Sequence, residues 1–87
     1  MLVTGIGVYN ASSGTIIIGE KDGNVDVTTP EITGGYVGLH NIYYGYLYFY
    51  DGKIKGETLA ISGDVTEVET NYEIKYSENN TIATLQL

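Results

Sequence analysis

Tyr44, Tyr46, Tyr48 and Tyr50 stand at alternate positions and form the densest grouping of side chains in this sequence that could hold a ligand. In an extended strand, side chains at i and i+2 share a face about 6.6–7 Å apart. These phenols would therefore form a ladder of flat rings. A phenol pairs a large apolar area with a polar tip, which suits a ligand that is half apolar and half hydroxyl, such as successive sugar rings. The same ladder would equally serve as packing, against Tyr72, Tyr76 or another copy of the chain.

Other chemistry is poorly supplied. Residues 22–26 (DGNVD) begin like a calcium loop, with oxygen ligands at its first, third and fifth positions. Val27 then stands where glycine is needed and Thr33 where a bidentate carboxylate belongs, so an Asp-Gly turn is expected, with no metal and no cofactor. Glycoside hydrolysis or lysis needs paired carboxylates, often beside a cation. Asp51 with Glu57 and Glu67 with Glu69 are the candidate pairs, but there is no arginine, and acids two apart on a strand read as a solvated face. His40, the one histidine, has no obvious Ser, Cys or metal partner in the sequence and reads as a corner residue opposite Tyr9. No catalytic residue is assigned. The glycines at 5, 7, 34 and 35 open no helix and lead into no Gly-Lys-Ser/Thr, so phosphate cradling is rejected.

Composition narrows the partners. Eighty-seven residues make one small domain. Four lysines against eleven acids give a net charge of −7, which repels a nucleic-acid backbone. With 43% apolar residues the chain can build a core. No run reaches the roughly 20 apolar residues of a membrane span, and no signal peptide is legible. Without cysteine, core packing or a neighbouring chain must supply what disulfides give other small domains.

Twelve glycines, one proline and many Thr, Ile, Val and Tyr favour strands and tight turns. Strands are expected at 5–9, 15–18, 25–27, 31–33, 37–40, 46–49, 53–55, 59–61, 64–69, 72–76 and 81–86. Self-similarity is more informative. GIGVYN at 5–10 and GTIII at 14–18 match YVGLHN at 36–41 and GYLYF at 45–49, every match 31 positions apart. A second echo sets Asp22-Gly23 against Asp51-Gly52. A third sets 32–35 (ITGG) against 54–57 (IKGE), followed by Gly38-Leu39 and Ala60-Ile61.

Repeats of this length suggest a solenoid whose inward aliphatics stack coil upon coil. Ile16, Ile18, Leu47 and Phe49 would point inward and Thr15, Ile17, Tyr46, Tyr48 and Tyr50 outward. Asn10, Asn41 and the Asp-Gly pairs would form corners, where Gly and Asn tolerate positive φ and the Asn amide bonds nearby backbone. The last quarter leaves the repeat: 64–69 alternates, and 72–76 faces 81–87 across 77–80 as a terminal hairpin that would cap the stack.

Segments 14–25 (GTIIIGEKDGNV), 28–35 (TTPEITGG), 49–56 (FYDGKIKG) and 60–67 (AISGDVTE) resemble pectate-lyase-like right-handed β-helix repeats in large cell-surface proteins of Gram-positive bacteria. The likeness runs from about residue 5 to 75. With the repeat and the terminal alternation, it gives the expected fold: an all-β chain, a short right-handed parallel β-helix of two to three coils over 1–63 and a hairpin cap over 64–87, with an antiparallel β-sandwich as the alternative. It also implies an extracellular module of a larger exported protein, joined to neighbouring modules or to copies of itself. Such a module would be structural or adhesive, binding polysaccharide or a host ligand through Tyr44, Tyr46, Tyr48 and Tyr50. Rival readings are a fragment of a carbohydrate-active β-helix enzyme and a viral structural subunit. The tract 43–50 is more aromatic than the resemblance leads one to expect, which favours a binding face.

Overall fold

Strand formation follows the distribution of β-branched and aromatic residues between glycine-containing turns. A computed structural model describes residues 5–10, 14–21, 23–41, 45–63, 68–70 and 72–86. In chain order the strands are β1 (Ile6–Asn10), β2 (Thr15–Ile18), β3 (Glu31–Gly34), β4 (Val37–Asn41), β5 (Tyr46–Phe49), β6 (Lys53–Gly56), β7 (Leu59–Gly63), β8 (Val68–Thr70), β9 (Ile74–Tyr76) and β10 (Ile82–Leu85). The described residues are all-β. No helix among them is long and apolar enough to cross a membrane.

The strands form three sheets, ordered β1-β4-β7, β2-β5-β8 and β3-β6-β10-β9. The chain therefore visits the sheets in rotation. Its first pass is β1–β3, its second β4–β6, and its third β7, β8 and the β9–β10 hairpin. Five pairs between passes are parallel: β1 with β4, β4 with β7, β2 with β5, β5 with β8, and β3 with β6. An antiparallel sandwich would pair sequence neighbours as hairpins, and among the described strands only β9 and β10 do so. β10 also pairs antiparallel with β6, so the hairpin takes the third-pass place in its sheet.

The 31-residue spacing sets the pairing of the first two passes, with Val8 opposite Leu39, Asn10 opposite Asn41, Ile16 opposite Leu47 and Ile18 opposite Phe49. The spacing drops to 22 between β3 and β6, where Ile32 stands opposite Ile54. The first pass thus carries nine extra residues between its second and third strands. Two expectations change here. Residues 25–27 are not a strand, because only Tyr50, Asp51 and Gly52 separate β5 from β6, leaving no strand alongside to pair with. And Asp51-Gly52 bonds at Asp26, three residues past Gly23. Asp51 Oδ1 accepts from Asp26 N at 2.6 Å, and Gly52 N donates to Asp26 O at 3.0 Å. Asp22 and residues 64–67, the start of another expected strand, lie outside the described residues.

Inward side chains meet between the sheets. Leu39, Leu47, Phe49, Ile54, Ala60 and Ala83 are fully buried. Burying a leucine or phenylalanine side chain stabilises by about 1.5–3 kcal/mol relative to leaving it exposed. The first-pass counterparts Val8, Ile16 and Ile32 pack on this cluster but are only partly buried. Where the first and third sheets converge, backbone meets backbone. A Cβ on Gly34 would lie 2.7 Å from Gly7 N, and one on Gly56 would lie 2.6 Å from Gly38 N. The same contact therefore recurs in two successive passes.

Asn10 and Asn41 end β1 and β4 and are buried. Among the described residues, positive φ outside glycine occurs only at Asn80, so the two asparagines serve through their amides. Asn10 Nδ2 donates to Asn41 Oδ1 at 2.9 Å and to Gly14 O at 2.8 Å, while Asn41 Nδ2 donates to Gly45 O at 2.9 Å. Gly14 and Gly45 immediately precede β2 and β5, so this amide ladder fixes how the chain enters the second sheet.

Candidate functional site

β5 carries the tyrosines, and the pleat divides its residues between two environments. Leu47 and Phe49 are fully buried, while Tyr46 is 44% exposed and Tyr48 is half-buried. Across the outer face Thr15 lies beside Tyr46, and Ile17, Tyr48 and Glu69 line up on β2, β5 and β8. Ile17 is 64% exposed. The face is thus an apolar and aromatic surface bordered by one carboxylate.

Tyr50 departs from the expected outward ladder. It lies just past the end of β5, is only 6% exposed, and its hydroxyl donates to Glu69 Oε1 at 2.9 Å. Its ring stacks on Tyr48, with centroids 6.0 Å apart and planes 19° from parallel. Tyr50 therefore supports Tyr48 and cannot itself present a ring face. Tyr44 lies outside the described residues.

Glu69 joins three parts of the chain, because Lys21 Nζ also lies 3.0 Å from its Oε1. Lys21 and then the Tyr50 hydroxyl hold the Glu69 carboxyl below the usual glutamate value. Burial, then the bond to Glu69, raises the Tyr50 phenol. The signs translate into stability. A carboxyl lowered in the folded chain contributes fully above its unfolded value near 4.5, and that contribution is lost as pH falls through the folded value. Glu69→Gln should therefore flatten the acid side of a plot of thermal midpoint against pH; an unchanged slope would remove Glu69 from this role.

Asp51 is engaged by Asp26 N, Glu57 is exposed, Glu69 is held by Lys21 and Tyr50, and Glu67 lies outside the described residues. In the DGNVD segment, Asp26 Oδ1 accepts from Thr28 N at 2.8 Å and from the Thr28 hydroxyl, and its Oδ2 accepts from Thr29 Oγ1 at 3.2 Å. These bonds, the Thr28 hydroxyl first, lower the Asp26 carboxyl from its ordinary value. Asp26 thus closes a local turn.

His40 has the partner that sequence reading missed. Its Nδ1 lies 2.6 Å from Ser62 Oγ, and its ring stacks on Tyr9 at 5.1 Å. The three occupy one row across β1, β4 and β7. The 22-residue echo, continued one residue past Leu39 and Ile61, would have found this pair. Serine beside histidine is the start of a nucleophilic arrangement, but no acid orients the ring from its other side among the described residues. Nearby, Leu59, Ile61, Ser62, Gly63, Tyr76 and Asn80 line an open depression of about 380 Å³.

Comparison of the chain with family models, curated proteins and solved structures finds no match.

Proposed function

We propose that this chain is a short, non-catalytic right-handed β-solenoid module of a larger cell-surface protein, and that its Ile17, Tyr46 and Tyr48 face holds a polysaccharide or a host ligand. Rotation of the chain through three sheets, with the first and second passes paired in parallel in each, supports the coil, and strand-to-strand crossovers between parallel strands are right-handed almost without exception. The hairpin in the third-pass place of one sheet supports its role as a cap.

One observation carries the ligand reading. Tyr46 and Tyr48 stand outward on one strand beside exposed Ile17, with Tyr48 backed by buried Tyr50. A ring held in place before a ligand arrives loses less freedom on binding. The acidic character of the chain and the Glu69 rim favour neutral or cationic glycans over polyanionic ones.

A glycan array probed with the wild type, Tyr46→Ala and Tyr48→Ala tests this. An aromatic contact contributes about 0.5–1.5 kcal/mol beyond its buried area, so each variant should bind at least roughly 2- to 12-fold more weakly. Absence of binding by the wild type, or wild-type binding retained by both variants, would make the face purely structural.

A further inference from the structure

Among the described residues, no strand lies over the first pass. Val8, Ile16 and Ile32 are partly exposed, although their second-pass partners Leu39, Leu47 and Ile54 are fully buried. At the opposite end the hairpin buries Ala83 and Leu85. β2 is the first-pass strand made wholly of β-branched residues: Thr-Ile-Ile-Ile, with high β propensity and neither a charge nor a proline to discourage pairing.

The free backbone groups of β2 can be assigned. Gly14 O accepts from Tyr46 N and Ile18 O from Tyr50 N, which fixes the phase of the parallel ladder. Residues 14, 16 and 18 thus spend their backbone groups on β5, since alternate residues of a strand bond to opposite sides. The N–H and C=O of Thr15 and Ile17 point the other way, where β2 has no strand neighbour among the described residues.

We infer that two copies of this chain associate through this end, with β2 pairing antiparallel to β2 of the second copy about a two-fold axis at Ile16. A two-fold axis perpendicular to the stack reverses the direction of the coil, so the meeting strands run antiparallel. Thr15 of each copy then faces Ile17 of the other and exchanges both of its backbone bonds, satisfying four donors and four acceptors. Ile16 meets Ile16 on the inward side, which joins the two cores. Exposed Ile17 packs over Thr15 on the outer side.

The pairing is self-complementary, so an identical chain fits this edge without any new surface feature. The molecule measures 41 × 27 × 18 Å, and three to four strands at about 4.8 Å spacing account for its shortest dimension. The end face is therefore at most roughly 870 Å² per copy, in the range of the ~800 Å² per partner of a standard interface. Two-fold pairing closes after two copies. Stacking first pass on third pass would instead continue without limit, and the hairpin makes that end uneven, four strands standing in one sheet against three in the others.

The test is the mass of the purified chain in solution, by light scattering over a concentration series. It should rise to twice 9.5 kDa and stop there. With each copy at −7, added salt should shift the midpoint to lower concentration. Ile17→Pro removes a donor that the fold does not use, and should give a monomer with the wild-type circular dichroism and the thermal midpoint of wild type diluted below its dimer midpoint. Ile17→Val should remain dimeric. A wild type that stays monomeric at all concentrations, one that grows beyond two copies, or a folded Ile17→Pro that still dimerises would each overturn the proposal.

Discussion

Replacing Gly56 with alanine should cost the fold about 3 kcal/mol or more, although alanine normally stabilises extended chain relative to glycine. Where space allows, Gly→Ala gains about 0.4–1 kcal/mol by restricting the unfolded chain. At Gly56 there is no space. The added Cβ would collide with Leu59 O and lie 2.6 Å from Gly38 N, and both obstacles are backbone. Relief requires the first and third sheets to separate, which strains the burial of Ile54 and Ala60 on either side. Overpacking costs about 1–3 kcal/mol where side chains can move, and more where backbone must. A domain of this size has about 4–13 kcal/mol in total. Urea titration followed by circular dichroism measures the loss. Lys55→Ala, at the exposed neighbouring position, should change stability by less than about 0.5 kcal/mol. If Gly56→Ala were as stable as Lys55→Ala, the close approach of the two sheets would be wrong.

Asn41→Ala should be nearly as damaging, for a polar reason. The Asn41 amide is fully buried, accepts from Asn10 Nδ2 and donates to Gly45 O. Truncation leaves a buried donor and a buried carbonyl without these partners, at about 1–3 kcal/mol each. Asn41→Asp keeps the shape but sets an oxygen against Gly45 O, so it should fare no better. Asn10→Ala, in the first pass, over which no described strand lies, should cost less than either. Chemical unfolding of the three variants gives the ranking. An Asn41→Asp variant of wild-type stability would mean that shape alone matters at this position. Because Gly45 leads directly into Tyr46, damage at Asn41 should also weaken any ligand bound on the tyrosine face.

Sequence spacing carried the pairing of the first two passes, since identical side-chain roles 31 residues apart leave one register that buries both sets of aliphatics. The 22-residue echo gave the β3–β6 register, and two strand-like runs on either side of 77–80 located the hairpin. Three features were less visible. Residues 25–27 have strand composition, but strand formation needs a neighbour, and the second pass is too short at that corner to provide one. Tyr50 has the spacing of an outward residue. Its burial depends on Glu69 from the third pass and on its position just beyond the strand, where strict alternation no longer holds. The His40–Ser62 pair depends on the third pass lying one strand further along the same sheet, a relation that only the register makes plain.

Stacking in register is the claim on which the tyrosine face, the amide ladder and the exposed first-pass edge all depend. Cysteine pairing in this cysteine-free chain tests it most directly. Thr15 and Tyr46 are stacked partners on the outer face, and neighbouring strands lie about 4.8 Å apart, within the 4.4–6.8 Å Cα separation that a disulfide bridges. Under mild oxidation at low concentration, Thr15→Cys/Tyr46→Cys should close an intramolecular disulfide, while Thr15→Cys/Leu47→Cys, whose side chains project to opposite faces, should stay reduced. Closure of the second pair in the folded chain, or failure of the first, would contradict the account.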